Sequence, residues 1–165
     1  MTAHTVLDSP LGPLTAVSTD GGLSGLFMSG QRHRPAAERF GARDDTVLPG
    51  LREQLDAYWA GELTDFEVPL TTTGTAFQQQ VWAALRRVPY GATCSYTDLA
   101  AAIGRPTAVR AVGAANGRNP VCLVVPCHRV VGSGGSLTGY AGGLERKRFL
   151  LQHELAHADG SMLLA

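Results

Sequence analysis

The sequence predicts an α/β N-terminal half, an antiparallel sheet plus one helix, followed by a mostly helical C-terminal half with a helix-turn-helix. Three patterns carry that reading. Residues 4–8, 14–18 and 23–28 are short runs containing apolar and β-branched residues, separated by the turn-forming clusters Ser9-Pro10-Leu11-Gly12-Pro13 and Thr19-Asp20-Gly21-Gly22, as in a meander. Leu48, Leu51, Leu55, Tyr58 and Trp59 recur at helical spacing up to Gly61, which predicts a helix over 49–60 laid on that sheet. Past the small polar stretch 71–74, helical periodicity replaces the strand-like runs.

Residues 31–49 are polar and carry Pro35, Gly41 and Pro49, as expected of an irregular connection or one with a short helix; residues 64–70 read as one more strand. The change in composition at 71–74 divides the chain into domains 1–72 and 76–165. Thr75-Ala76-Phe77-Gln78 fits a capping box and opens a helix over 76–87, with Phe77, Val81, Trp82 and Leu85 on one face. Val88-Pro89-Tyr90-Gly91 turns the chain. Ser95 can cap a second helix over 96–103, stopped by Gly104-Arg105-Pro106, and a third runs over 107–116. Two short helices joined by a tight turn resemble a helix-turn-helix, although ordinary antiparallel packing is the plainer reading of such a pair. The later helix is made of small residues and leaves Arg110, Asn116 and Arg118 as nearly its only long or polar projections. That suits close, shape-based approach to a groove better than reading many bases. A last helix runs from 144 to about 155, with Glu154 near its end.

Composition narrows the class. With 165 residues, 44% hydrophobic and 17% charged, the chain can bury a core and is not disordered. It has no apolar run of membrane-spanning length, and residues 1–10 lack the basic and apolar regions of a signal peptide, so a cytoplasmic location is expected. Cys94, Cys122 and Cys127 are an odd number without a C-x-x-C pair, which suits a reducing compartment. His153 and His157 are four apart but have no further ligand type patterned around them, so they read as a solvated helix face and no metal is expected. The net charge of zero hides a division: residues 1–74 hold five bases and ten acids, the rest nine bases and four acids. The basic half points either to an anionic partner or to mutual attraction of the two halves.

Chemistry concentrates at residues 123–131, where Cys127 and His128 stand side by side between apolar residues. A thiol is a strong nucleophile only as thiolate, and His128 is a ready base for it. The plainer alternative is a core cysteine packing as a small hydrophobe. Pro126 stops the apolar run at Cys127, His128 and Arg129 both need polar partners if buried, and Gly132-Ser133-Gly134-Gly135 opens a loop able to approach a ligand. Glu154 is a candidate for the third group, the one that orients the histidine.

Pro126-Cys127-His128-Arg129-Val130 resembles the active-site motif of the O6-alkylguanine-DNA alkyltransferases, or methylated-DNA–protein-cysteine methyltransferases. The resemblance spans nearly the whole chain: residues 9–14, Phe77-Gln78 with Val81-Trp82, Pro89-Tyr90-Gly91, Ser95-Tyr96, Arg110-Ala111-Val112-Gly113, Asn119-Pro120 and Gly139-Tyr140-Ala141-Gly142-Gly143 all fit in order. It implies a ribonuclease-H-like N-terminal domain and a DNA-binding, catalytic C-terminal domain. It also implies repair by direct reversal, in which an alkyl group passes irreversibly from O6-alkylguanine, and O4-alkylthymine, in duplex DNA to Cys127, consuming the protein.

By position, the resemblance makes Cys127 the acceptor, His128 its base through a bound water, Glu154 the acid that orients His128, and Tyr96 the proton donor to the leaving base. Asn119 holds the turn that carries the active-site strand. Arg110 fills the gap left by the flipped nucleotide, with Tyr96, Ala111, Gly113 and Arg118 also toward DNA, and Tyr140, Ala141, Val130 and Cys122 lining the pocket. No cofactor is implied. Cys122 stands where some relatives have proline, and Ala141 where serine is common. A monomer in solution that clusters along DNA is expected. The competing readings are a non-catalytic protein that only binds alkylation damage, a Cys-His-Glu hydrolase that turns over, and a helix-turn-helix regulator. The presence of Cys127 counts against the first, and the scarcity of base-reading side chains against the last.

Overall fold

The computed structural model describes residues 1–163, with side-chain surroundings through residue 158. It divides into two compact units, Met1–Thr73 with Pro120–Val124, and Gly74–Asn119 with the chain from Val125 onward. Among the described residues no helix is long and apolar enough to cross a membrane.

In the first unit β1 (Thr2–Leu7), β2 (Leu14–Thr19) and β3 (Gly22–Met28) form the expected antiparallel meander. Asp20 and Gly21, both at positive φ (51° and 86°), make the two-residue turn that pairs Thr19 with Gly22. The sheet has a fourth member that the sequence reading left inside an irregular connection: β4 (Ala42–Arg43) lies parallel to β1, giving the order β3-β2-β1-β4. A two-residue strand is too short to show a period of two, so nothing in the sequence marks it. A 3-10 turn at Ala37–Phe40 precedes it and seats Phe40 in a stack on Phe27, ring centroids 5.6 Å apart. At Gly41, φ is +72° and a Cβ would come within 2.0 Å of the Thr2 carbonyl oxygen, so only glycine admits this approach. The helix α1 (Leu51–Trp59) buries Leu51, Leu55 and Tyr58, the i, i+4, i+7 stripe read from the sequence.

Two strand expectations are corrected. Residues 64–70 make only an isolated bridge, Leu23 to Leu70. The apolar run before Cys127 is not a continuous strand either: it makes only isolated bridges, at Val121, Cys122 and Val125, and takes Leu123 into positive φ (72°). A short apolar run has the same pattern whether extended or coiled, and periodicity cannot separate the two.

The second unit holds α2 (Ala76–Leu85), β5 (Cys94–Ser95), α3 (Tyr96–Ala102), α4 (Val109–Gly117), β6 (Val130–Val131) and α5 (Leu144–Leu163). α2, α3 and α4 pack on one another. Thr75 and Ser95 both complete capping boxes, with Gln78 and Asp98 as the reciprocal partners. The Trp82 indole N–H donates to the Ala115 carbonyl at 2.9 Å, fastening α2 to α4. β5 pairs in parallel with β6, a short sheet that links the start of α3 to the segment after Cys127. α5 continues past the expected end near 155, so Glu154 lies in mid-helix.

Replacing Ser95 by alanine removes the acceptor for the Asp98 N–H and should lower stability by about 1 kcal/mol. The check is a lower urea midpoint with unchanged slope, and Thr75→Ala should behave alike.

Candidate active site

Cys127 opens a single 3-10 turn, Cys127–Arg129, that is buried throughout. Two asparagines from the end of α4 hold the backbone on either side of it. Asn119 Nδ2 donates to the Val125 carbonyl at 2.8 Å, and Asn116 Nδ2 to the Cys127 carbonyl at 3.4 Å. Both amides are themselves buried. The nucleophile candidate is thus fixed from its main chain on both sides, and the Asn119 side chain also hydrogen-bonds its sulfur.

The adjacent histidine and arginine converge on one carboxylate. His128 Nε2 lies 2.8 Å from Glu154 Oε2, while Arg129 donates from Nε to Oε1 at 2.8 Å and from its terminal nitrogen to Oε2 at 3.0 Å. A carboxylate only accepts, so Nε2 carries the hydrogen and Nδ1 is left as the basic nitrogen; it is buried and unpartnered among the described residues. Arg129 also donates to the Val88 carbonyl at 2.8 Å and lies over the Tyr90 ring. Burial alone would raise the Glu154 pKa, but the hydrogen bonds from His128 and Arg129 outweigh it and bring it to about 2. Burial holds the His128 pKa below its ordinary value despite Glu154. Burial also pushes the Cys127 thiol up, opposed by the Asn119 hydrogen bond and the Lys147 charge. The thiol therefore needs help to ionise, and a neutral imidazole held beside it can accept a proton.

The loop after the glycine run meets this centre from the other side. Lys147 on α5 donates from Nζ to the carbonyls of Val130, Thr138 (2.7 Å) and Gly139 (3.2 Å). The Tyr96 hydroxyl, at the first turn of α3, points at the same two loop carbonyls, 3.4 Å from Thr138 and 3.5 Å from Gly139. Gly113 of α4 faces the Tyr96 ring, where a Cβ would make ordinary contact at 3.8 Å. Arg110 and Ala111 on α4, and Arg118 directly after it, are exposed, whereas Val112, Ala115 and Asn116 of the helix are buried. Tyr140 and Ala141 are half-buried, and Val130 is buried. Cys122 belongs to the first unit, where its thiol donates to the Leu26 carbonyl at 3.1 Å.

Cys127, His128, Glu154 and Asn119 are therefore brought together, with Tyr96 and the 138–139 loop alongside. Arg129, Asn116 and Lys147 belong to the same network; Arg129 and Lys147 were not assigned to it from the sequence, and Asn116, expected to project from its helix, is instead buried against the Cys127 carbonyl. Arg129 was visible only as a polar head needing a partner. Lys147 did leave a signal, since it is the single lysine in a chain with thirteen arginines. The rings of His153 and His157 lie 4.4 Å apart on α5, tilted by 49°, and no cluster of three metal-binding side chains occurs among the described residues.

Comparison with known proteins points in one direction. Residues 3–72 match the family described as "6-O-methylguanine DNA methyltransferase, ribonuclease-like domain", and residues 76–156 match its "DNA binding domain". A methylated-DNA–protein-cysteine methyltransferase of Mycobacterium tuberculosis is 48% identical over 164 residues, 99% of each chain. The constitutive one of Bacillus subtilis is 46% identical over 158 residues, 93% of this chain and 96% of the relative. The crystal structure of the M. tuberculosis O6-methylguanine methyltransferase superposes with a TM-score of 0.88, covering 95% of this chain and 94% of that one at 48% identity. Its complex with DNA gives 0.86, with 94% of each covered.

Glu154 ionises at about 2 in place of 4.5, so its stabilisation is present above about pH 5 and lost as pH falls through its folded value. Between those limits the native chain should lose about 3 kcal/mol more stability than Glu154→Gln does. Urea titrations of both across that range are the check, and parallel curves would contradict the ion-pair assignment. Near neutral pH Glu154→Gln, which leaves Arg129 buried and uncompensated, should be less stable by about 3 kcal/mol or more.

Proposed function

The chain belongs to the 6-O-methylguanine DNA methyltransferase family, and from that membership and the geometry of Cys127 we propose that it repairs DNA by direct reversal. An alkyl group, typically methyl, passes from the O6 atom of a guanine in double-stranded DNA to the sulfur of Cys127. The observation that carries this is the buried Cys127 turn next to a neutral His128 whose free Nδ1 is set by Glu154. The proton of Cys127 goes to His128, by way of a water, and the thiolate attacks the alkyl carbon. The S–C bond forms as the C–O6 bond breaks, and its electron pair moves into the purine. Tyr96 donates a proton so that guanine leaves neutral. No step returns the sulfur to a thiol, so each molecule acts once. The same pocket would take O4-alkylthymine.

A base in a duplex is out of reach of a buried sulfur, so the nucleotide is flipped out at a cost of a few kcal/mol. Arg110, exposed on a helix of small residues, takes its place in the stack, and Ala111, Gly113 and Arg118 allow α4 to lie close to the backbone. Tyr140, Ala141 and Val130 enclose the flipped base. We assign both binding and chemistry to residues 76–165, with residues 1–72 as a separate ribonuclease-like domain. The protein acts in the cytoplasm as a monomer that clusters on damaged DNA.

Mass spectrometry after mixing with a duplex containing one O6-methylguanine should find one methyl on Cys127, unmodified guanine in the DNA and no second turnover. Cys127→Ser should bind the duplex and gain nothing. Binding without mass gain in the native chain would favour a protein that only senses damage. In single-turnover kinetics Tyr96→Phe should slow transfer about a hundredfold. Arg110→Ala should slow transfer from the duplex while sparing reaction with the free O6-alkylated base.

A further inference from the structure

Lys147 is the only lysine of the chain and one of its most completely buried side chains, 0% exposed. A buried ammonium is costly unless it is paired or fully hydrogen-bonded. Its three N–H donors go to the three carbonyls of Val130, Thr138 and Gly139. That set suits the three-donor ammonium and not a planar five-donor guanidinium, which accounts for lysine here in a chain that otherwise uses arginine. The carbonyls satisfy its hydrogen bonds but leave its full charge unmatched. Among the described residues no carboxylate pairs with it, and both oxygens of Glu154, two helical turns further along the same face of α5, are occupied by His128 and Arg129.

We propose that Lys147 is the positioning residue whose counter-ion is the Cys127 thiolate, and that it straps the 138–139 loop against Tyr96 only while that thiolate can form. The inference rests on Cys127 being the nucleophile. Transfer of the Cys127 proton to His128 creates an anion on sulfur and a cation on imidazole. α5 then presents a partner of opposite sign to each: Lys147 to the sulfur, Glu154 to the imidazolium. The two titratable groups of the turn that face Lys147 are Cys127, which attracts it, and His128, whose protonated form it repels. Flanking Arg146 and Arg148 lie on the same helix and do not compensate it. Burial brings the ammonium pKa down to about 8, with Cys127 holding it up.

Alkylation converts the sulfur to a neutral thioether. The ammonium keeps its desolvation cost and can no longer gain an anion on the sulfur, so by reciprocity its hold on its own proton weakens. A deprotonated Lys147 has two N–H donors for three carbonyls. The loop that Tyr96 also touches is then less firmly held, so the spent protein differs from the fresh one at the loop beside the pocket.

Because the chain has one lysine, labelling with 13Cε,15Nζ-lysine gives one side-chain resonance, and its pH titration reads Lys147 directly. The titration is run on the native chain, on the chain after one equivalent of duplex containing O6-methylguanine with methylation verified by mass, and on Cys127→Ser. The expected result is a midpoint near pH 8 in the native chain, lower by about one pH unit, a tenfold change in proton affinity, in both other samples. An unchanged midpoint in methylated protein would overturn the inference. Absence of methyl on Cys127 would overturn the alkyltransferase reading instead, and the Cys127→Ser comparison would still decide the role of Lys147. As a second arm, the pH profile of Cys127 alkylation by iodoacetamide should shift upward in Lys147→Met, with a rate about tenfold lower near pH 7 that recovers at high pH. A lower plateau with the same midpoint would mean a purely structural lysine. If Lys147→Met does not fold, the titration of the native chain still gives the answer.

Discussion

The carboxylate of Glu154 accepts from His128 and twice from Arg129 in a place closed to water, and the rest of the centre depends on that meeting. It fixes the tautomer of the histidine, so that the basic nitrogen is the one left over. It also holds the turn carrying Cys127 against α5, because His128 and Arg129 are the two residues directly after the cysteine. Removing either partner leaves a buried charge or a buried ring without direction, so the three side chains act as one unit. The helix that supplies Glu154 is long and bound elsewhere through Leu150 and Lys147, which makes the carboxylate a rigid reference point.

Around that point the molecule separates backbone support from chemistry. Asn119 and Asn116 grip carbonyls before and at Cys127, and the Asn119 side chain also favours the thiolate. The capping boxes of α2 and α3, and the Trp82 bond to Ala115, align the three helices that present Tyr96 and the exposed face of α4. Small residues along α4 bring its backbone near to whatever it meets, and Arg110 stands out from them. Binding surface and nucleophile therefore belong to one unit, joined through the two asparagines at the end of α4.

Burial has opposing effects in this centre. It raises the Cys127 thiol and lowers His128, both of which disfavour the charged pair that attack on an alkyl carbon requires. The fixed charges on α5 oppose that tendency, with the anion against the histidine and the cation against the sulfur. A protein that reacts once needs a thiol that is quiet in water and ionises against bound DNA, and a dry site with charges already in place suits that requirement.

Much of this was legible in the sequence because it is encoded locally. The Asp-Gly turn, the i, i+4, i+7 stripe of α1, both capping boxes and the helix pair each depend on residues within a few positions of one another, and the Pro126-to-Val130 motif marked the candidate centre. What the sequence could not determine by itself depends on distant partners. β4 exists because residues 42–43 find β1, and the run before Cys127 coils because Leu123 is held at positive φ in a buried setting. The triad of Glu154, His128 and Arg129 and the enclosure of Lys147 join residues 8 to 26 positions apart. Hydrophobic period and cap chemistry are short-range and can be read along the chain. The partner of a buried charge is chosen only when helices and loops pack, and the tertiary structure alone decided it.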